Sequence, residues 1–212
     1  MSDEVLEQLK SGVRRFQAEV YPQRAEMYAA AASEPQKPHT LFITCADSRI
    51  DPNEITSTGP GEVFVTRNIG NMVPAYGEML GGVSAVIEFA VGGLGVRHIA
   101  VCGHSDCGAM KALMNPESVA KMPSVKNWLK NAHTALSVAE TLHERLPEGD
   151  LLQELTEQNV LLQLQHLKTH PSVAAAMAAG ELTLSGWVYE IGSGVVRMAA
   201  DGSHVFRAVP GE

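Results

Sequence analysis

The sequence lacks any apolar run long enough to cross a bilayer, and its first residues lack the features of a secretory signal. A membrane-spanning helix needs about 18 or more predominantly apolar residues in a row, and no such run occurs among the 212 positions. The N-terminal segment MSDEVLEQLK is acidic and amphipathic, without the basic and apolar regions of a signal peptide. We therefore expect a cytoplasmic protein that does not cross a membrane.

Cysteine is scarce, with only Cys45, Cys102 and Cys107 in the chain. Such an odd and sparse set is unlike the disulfide framework of a small secreted domain. The scarcity favours metal binding or catalysis as the use of some of these thiols. Cys102 lies inside the apolar run HIAVCG with no adjacent donor pair, so we expect it to be a core residue.

Clusters of lysine and arginine are also missing, and the formal net charge at pH 7 is -8. Binding to nucleic-acid phosphates needs concentrated positive charge, so the composition argues against a nucleic-acid surface. We expect the partner to be a small-molecule substrate.

Short apolar segments alternate with amphipathic ones in the manner of a parallel α/β protein. The predicted strands of this part are TLFITC (40–45), EVFVTRN (62–68) and RHIAVCG (97–103). GGVSAVIEFAVGGLG has a helical apolar face and precedes the third strand. LTLSGWVYEI and GVVRMAA flank the turn GSG, which predicts a hairpin. The predicted fold class is α/β, with a mainly parallel central sheet, an antiparallel edge strand and flanking helices.

The start of the chain shows a helical pattern instead. Apolar residues recur at three- and four-residue steps from Val5 to Val20, and Pro22 is expected to break or restart this amphipathic helix. The length suits one hydrophobic core. We therefore expect a single domain over residues 1–212, with an N-terminal helical arm (1–35) and an α/β core (36–212).

Metal-binding side chains follow two predicted strands at their carboxyl ends. Cys45 ends the first strand just before Asp47, and the third strand leads into GHSDCG, with His104 and Cys107. Ligands of open parallel sheets bind beyond those ends, where distant segments meet. Two thiolates, an imidazole and a carboxylate suit tetrahedral zinc. The long separation of Cys45 from Cys107 excludes a compact zinc finger and is typical of an active-site metal.

The spacing within each segment refines the zinc prediction. His104 and Cys107 would be neighbours, one turn apart, if a helix starts there. Asp47 as a fourth protein ligand would close the site, whereas Asp47 paired with Arg49 would leave a position for water and so for catalysis. A surface salt bridge worth under about 1 kcal/mol is the alternative for this pair. The position of the Asp47–Arg49 pair beside Cys45 favours a role at the metal over a surface salt bridge.

The segments CADSR and GHSDCGAM resemble the Cys-x-Asp-Ser-Arg and His-x-x-Cys signatures of the β-class carbonic anhydrases. PGEVFVTRNIGNMVP, GGVSAVIEFAV and LSGWVYEIGSG extend the resemblance, which is greatest to the branch of plant chloroplast and many bacterial enzymes. It implies zinc-dependent, reversible hydration of carbon dioxide to bicarbonate and a proton, by attack of zinc-bound hydroxide.

The resemblance also implies roles for individual residues. Cys45, His104 and Cys107 match the ligands of one zinc ion per chain. Asp47 and Arg49 match a catalytic dyad, in which Asp47 orients the hydroxide and Arg49 holds Asp47 off the metal. In a closed state Asp47 would be the fourth ligand.

Further residues match the family's substrate pocket. Gln36 and the Gly108 amide match hydrogen-bond donors that act where negative charge develops. Phe64 and Ile69 match apolar wall positions, although a strand core is equally compatible with them. Phe89 stands where many relatives have tyrosine, and no histidine follows it four positions later, so the route of proton transfer stays open.

The family is built on homodimers, often stacked to tetramers or octamers, with the active-site cleft at the dimer interface and N-terminal helices clasping the partner. The resemblance implies such a homo-oligomer here, although a helix docked within its own chain would show the same apolar stripe.

Two other functions are compatible with the same residues. A hydrolase of carbonyl sulfide or carbon disulfide would use the same zinc site with a different access route. In a non-catalytic zinc module, Asp47 would cap the metal permanently, and the ion would contribute only folding energy. The presence of Asp47, Arg49 and Gln36 favours the carbonic anhydrase over the module.

Overall fold

The computed structural model describes residues 2–78, 81–145 and 149–210. This part of the chain divides into two compact units, one ending at Gln36 and the other beginning at Lys37. The division lies one residue beyond the predicted start of the α/β core. That residues 1–212 form a single domain stays a prediction.

The N-terminal unit is helical. Its segments are α1 (Ser2–Arg15), a π-helical turn (Phe16–Val20), α2 (Tyr21–Gln23) and α3 (Ala25–Ser33). The helical backbone passes through Pro22 and is interrupted at Arg24, where φ is -122° and ψ is 15°. In a regular helix the Pro22 ring would clash with the carbonyl four residues earlier. A π-helical turn ends at Val20, and Pro22 lies in the first turn of the next helical segment, as expected of a proline that restarts a helix.

The second unit contains one sheet of six strands. They are β1 (Thr40–Cys45), β2 (Val63–Asn68), β3 (His98–His104), β4 (Thr183–Tyr189), β5 (Val196–Ala200) and β6 (Arg207–Ala208). Their order is β2-β1-β3-β4-β5-β6. Strands β1 to β4 pair in parallel, whereas β5 pairs antiparallel with β4 and β6 pairs antiparallel with β5. This confirms the predicted fold class. The prediction lacks β6 because this two-residue, exposed strand has no apolar pattern.

Helices connect the strands and flank the sheet. They are α4 (Pro52–Thr56), α5 (Gly82–Glu88), α6 (Gly108–Met114), α7 (Pro123–Trp128), α8 (His133–Arg145), α9 (Leu151–Lys168) and α10 (Pro171–Ala178). Proline begins α4, α7 and α10, since the first helical position needs no N–H donor. No helix within the described ranges is long and apolar enough to span a membrane.

The main core lies between one face of the sheet and α9. Ile43 and Val101 of the sheet belong to the same buried cluster as Val160 of α9. Glycines let this helix approach closely, because a Cβ on Gly186 would lie 2.7 Å from Val160 Cγ1 and one on Gly103 would lie 2.9 Å from Val160 Cγ2. This packing fixes the end of β3, where His104 follows Gly103.

Candidate metal centre

Parallel pairing brings the ends of β1 and β3 to the same edge of the sheet. Thr44 stands opposite Cys102, so Cys45 and His104, which end the two strands, lie close together at that edge. The candidate ligand atoms of Cys45, His104 and Cys107 all lie within 4.8 Å of one another, and the three residues are buried. The structure thus brings together the three residues that the sequence nominates as metal ligands.

Cys107 reaches this edge through a turn and not along a helix. After His104, the backbone of Asp106 is left-handed, with φ 61°, and Cys107 is the N-cap residue that precedes α6. Aspartate tolerates this conformation better than most residues. No helix begins at His104, so the condition stated for the two donors is not met, and they are neighbours because the chain turns between them.

One ring nitrogen of His104 is held by a backbone hydrogen bond, and the other is buried. Its Nδ1 lies 2.9 Å from the backbone oxygen of Ser105, to which it donates when it carries the proton. Its Nε2 is buried and has no hydrogen-bond partner among the described residues. A buried polar atom without a partner costs free energy, and a metal ion would satisfy this one.

The two sulfurs interact with each other, and their surroundings favour negative charge on Cys45. A hydrogen bond with Cys107 lowers the pKa of Cys45, and the same interaction with Cys45 raises the pKa of Cys107. Backbone amides of Gly70 and Asp47 also lower the pKa of Cys45, and two amides in the first turn of α6 do so for Cys107. Although burial disfavours a charged imidazole, Cys45 and Asp47 raise the pKa of His104. The group thus attracts positive charge.

Asp47 lies beside this group but is held by Arg49. Arg49 Nε and Nη2 donate to Asp47 Oδ1 and Oδ2 at 2.9 and 2.7 Å, and the Arg49 amide donates to Oδ1 at 3.0 Å. These contacts hold the pKa of Asp47 well below its usual range. Asp47 Oδ2 is 3.9 Å from His104 Nε2, so the carboxylate is adjacent to the candidate metal ligands while paired with Arg49.

Two charged residues that the sequence analysis does not nominate extend this pair. Arg49 Nη1 donates to Asp106 Oδ2 at 2.9 Å, and the Lys111 ammonium donates to Asp106 Oδ1. Lys111 and then Arg49 lower the pKa of Asp106. The available signal was the aspartate of the motif HSDC, which lies two residues after His104 and directly before Cys107.

Two residues predicted to contact substrate lie next to the candidate ligands in the chain or in the sheet. Gly108 directly follows Cys107 at the start of α6, and a Cβ there would meet no atom within 4 Å. Ile69 follows Asn68, which stands opposite Cys45 in the sheet. Ile69 is 43% exposed, and its backbone oxygen accepts a hydrogen bond from the indole of a tryptophan in α7 at 2.8 Å.

The other predicted pocket residues lie elsewhere in the chain. Phe64 pairs with Leu41 in the sheet, four positions before the pair Asn68–Cys45. Four residues of a strand span about 13 Å, so Phe64 is about that far from Cys45 along the sheet. Phe89 packs near Phe64, with 6.0 Å between ring centroids. One chain therefore does not bring these two rings to its own cysteines. Gln36 is exposed at the end of the N-terminal unit, in an irregular segment after α3.

A family model described as carbonic anhydrase matches residues 40–196. Among curated proteins, the carbonic anhydrase of Pseudomonas aeruginosa is 47% identical over 192 residues, which cover 91% of this chain and 86% of that protein.

Solved structures show the same likeness. The β-carbonic anhydrase CcaA superposes with a TM-score of 0.91 at 35% identity, covering 98% of this chain and 93% of that one. A tetrameric β-carbonic anhydrase from the filamentous ascomycete Sordaria macrospora superposes with a TM-score of 0.81 at 27% identity, covering 92% of this chain and 96% of that one.

Proposed function

Because this chain belongs to the β-class carbonic anhydrases, we propose that it hydrates carbon dioxide reversibly, to bicarbonate and a proton, at one zinc site formed by Cys45, His104 and Cys107. The observation that carries this proposal is the convergence of the three donor atoms within 4.8 Å. We further propose that the enzyme acts in the cytoplasm on this small substrate.

The donor set fits zinc. Two thiolates and an imidazole are donors that zinc prefers, and His104 Nε2 is a buried atom in need of a partner. Bound zinc supplies Lewis acidity that lowers the pKa of water, less strongly beside two thiolates than beside three neutral histidines. Backbone amides directed at both sulfurs would hold the thiolates in place as ligands.

Asp47 is proposed to orient the attacking water. Since Arg49 keeps the pKa of Asp47 low, this carboxylate is ionised and accepts a hydrogen bond from the nucleophile. Each of its oxygens already accepts from Arg49, which leaves further lone-pair directions for water. Holding the nucleophile in one orientation reduces the entropic part of the barrier to attack on carbon dioxide.

The pairing of Asp47 with Arg49 also bears on the structural alternative. A permanently capped zinc module would require Asp47 as the fourth ligand. Both Asp47 oxygens are instead engaged by Arg49, which supports a fourth position available to water.

Substrate contacts are proposed for the Gly108 amide and for Gln36. Both would donate hydrogen bonds to the substrate oxygen on which negative charge develops. The open space around Gly108 supports this role, since nothing lies within 4 Å of the position of a Cβ there. Ile69, beside the candidate ligands, would supply an apolar wall.

We propose that the active enzyme is a homodimer or a tetramer or octamer built from dimers. Phe64 and Phe89, as pocket walls, would have to serve the site of a second copy, because they lie about 13 Å along the sheet from Cys45. The apolar stripe of α1, with Leu9 65% exposed, would be buried in such an assembly. Light scattering after size exclusion tests this: a fully active monomer would refute it.

Stopped-flow hydration of carbon dioxide by zinc-quantified protein tests the reaction itself. We expect fast hydration that rises between about pH 6.5 and about pH 9, the range in which a water beside thiolate-bound zinc ionises. The metal-free protein is the control. Negligible hydration with one zinc per chain would refute the proposal. Carbonyl sulfide and carbon disulfide would then be the substrates to test, followed by a structural role for zinc.

A further inference from the structure

The guanidinium of Arg49 is held on two edges by two different aspartates. Its Nε and Nη2 donate to the carboxylate of Asp47 at 2.9 and 2.7 Å. Its Nη1 donates to Asp106 Oδ2 at 2.9 Å, and Nη2 also donates to the Asp106 backbone oxygen at 3.3 Å. These contacts use four of the five N–H groups of the guanidinium.

A guanidinium that is held on two edges has less freedom to rotate than one that is held on a single edge. The group is planar and rigid, so fixing Nη1 and Nη2 also fixes the plane in which Nε and Nη2 face Asp47. The side chain of Arg49 is 43% exposed. It contacts Asp47, which lies two positions earlier in the same loop. Without a second anchor, such a long side chain would sample other rotamers.

Asp106 is well placed to be that anchor. It lies in the turn between His104 and Cys107, and its left-handed backbone, with φ 61°, directs both its carboxylate and its carbonyl oxygen to Arg49. Lys111 donates to the other carboxylate oxygen and so holds Asp106 from the opposite side. The turn that carries two candidate ligands therefore also carries the second support of Arg49.

We propose that Asp106 is a positioning residue for carbon dioxide hydration, which fixes the guanidinium of Arg49 and through it the carboxylate of Asp47. The inference rests on the proposed role of Asp47. It assigns Asp106 no contact with the substrate or the metal. These contacts add little to the stability of the fold, because the Asp106 side chain is 51% exposed and exposed ion pairs contribute little to folding.

The test compares Asp106→Asn with Asp150→Asn. Asparagine tolerates a left-handed backbone, so the first change removes the charge while the turn is kept. Asp150 lines the same small cavity as Asp106, and its side chain caps α9 by accepting from the Leu152 amide at 2.9 Å. Asparagine caps helices equally well, so the second variant has the same charge change at a residue that does not contact Arg49 in the described part of the chain.

Three quantities are measured for each variant as zinc-loaded protein: kcat and KM for hydration, the thermal unfolding midpoint, and the exchange rate of the Arg49 Nε–H proton by nitrogen-15 NMR. We expect Asp106→Asn to lower kcat about tenfold with KM and the midpoint nearly unchanged, and to accelerate Nε–H exchange. Asp150→Asn should match the wild type in all three.

Wild-type kcat or unchanged Nε–H exchange in Asp106→Asn would overturn the proposal. A fall in kcat accompanied by an equal loss of stability in both variants would also overturn it, since that pattern indicates a general structural effect. If the wild type does not hydrate carbon dioxide, the proposed function fails, and the proposal for Asp106 as a residue of that reaction fails with it. Nε–H exchange then still reports whether Asp106 holds Arg49.

Discussion

Cys102 and Cys107 are both buried, but only Cys107 lies among other side chains that can bind a metal. Cys102 lies inside β3, where burial raises its pKa to about 12, and its thiol donates to the Gly103 carbonyl at 3.3 Å. Cys107 lies beyond the strand, where its sulfur is close to that of Cys45 and to His104. Burial alone gives a neutral thiol, whereas converging donors give a site for a cation.

The same contrast holds for the other polar groups of these two regions. Inside the sheet, the hydroxyl of Thr44 donates to the Cys102 carbonyl at 2.9 Å. At the strand ends, His104 Nε2 is buried without a partner in the described part of the chain. Polar groups within a sheet are satisfied by the sheet, but those at its carboxyl end are available to a ligand. The predictions below test whether this difference decides the reaction.

The largest effect on the reaction is expected from Cys107→Ala. Loss of one thiolate leaves two protein donors, so the variant should lose zinc and more than about 10³-fold in hydration rate. Metal analysis by mass spectrometry and stopped-flow kinetics measure the two losses. Cys102→Ala is the matched control and should keep one zinc per chain. A fully zinc-loaded Cys107→Ala protein would contradict the ligand assignment.

A smaller loss is expected from Asp47→Asn. The amide keeps the shape of the side chain but no longer pairs as an anion with Arg49 or accepts through two oxygens. Zinc content should be unchanged, because Asp47 is not one of the three converging donors. Hydration should slow by about 10²-fold. Stopped-flow rates equal to those of the wild type at full zinc occupancy would remove Asp47 from the mechanism.

The parallel sheet and the meeting of its strand ends could be predicted because both follow from local patterns. β1 and β3 are nearly continuous apolar runs, and each ends at a residue of the candidate metal centre. Their contact then follows from the rule that parallel strands present their carboxyl ends at one edge. No such rule gives the backbone between His104 and Cys107, where a left-handed residue and not a helix places the donors.

The ion pair between Arg49 and Asp106 could not be predicted. Arg49 and Asp106 are 57 positions apart, and the left-handed turn that sets their distance has no strong signal in sequence. Phe64 and Phe89 illustrate a different limit. Their mutual contact depends on how α5 and the turn after it pack on β2, and their distance from Cys45 depends on strand register. Single-chain sequence reasoning gives neither.

A further prediction concerns pH, through Arg49→Met. Arg49 lowers the pKa of Asp47 in the folded protein, so this pair stabilises the fold above the unfolded pKa of about 3.9 and the contribution is lost as pH falls through the lower, folded value. In the variant, the pKa of Asp47 should rise toward the ordinary value. Because Arg49 is exposed to solvent, the accompanying change in stability should be small.

Carbon-13 NMR of aspartate carboxylates in the metal-free proteins measures this shift. The wild-type Asp47 signal should stay in its ionised position down to about pH 3, and the variant's signal should titrate near about pH 4. We also expect hydration to slow by about tenfold in zinc-loaded Arg49→Met, because Asp47 loses its orientation. The same midpoint in both proteins would show that Arg49 does not control the charge of Asp47.

Cys102→Ala should have the smallest effect on the reaction while having a measurable effect on folding. Removing a sulfur that is 0% exposed leaves a small cavity in the sheet, which should lower the free energy of unfolding by about 1 kcal/mol in urea titrations. Zinc content and hydration rate should stay at wild-type values, because Cys102 is outside the group of converging donors. Loss of zinc in this variant would mean that a cysteine inside the strand also supports the metal centre. The contrast between the core thiol of Cys102 and the ligand thiol of Cys107 would then fail.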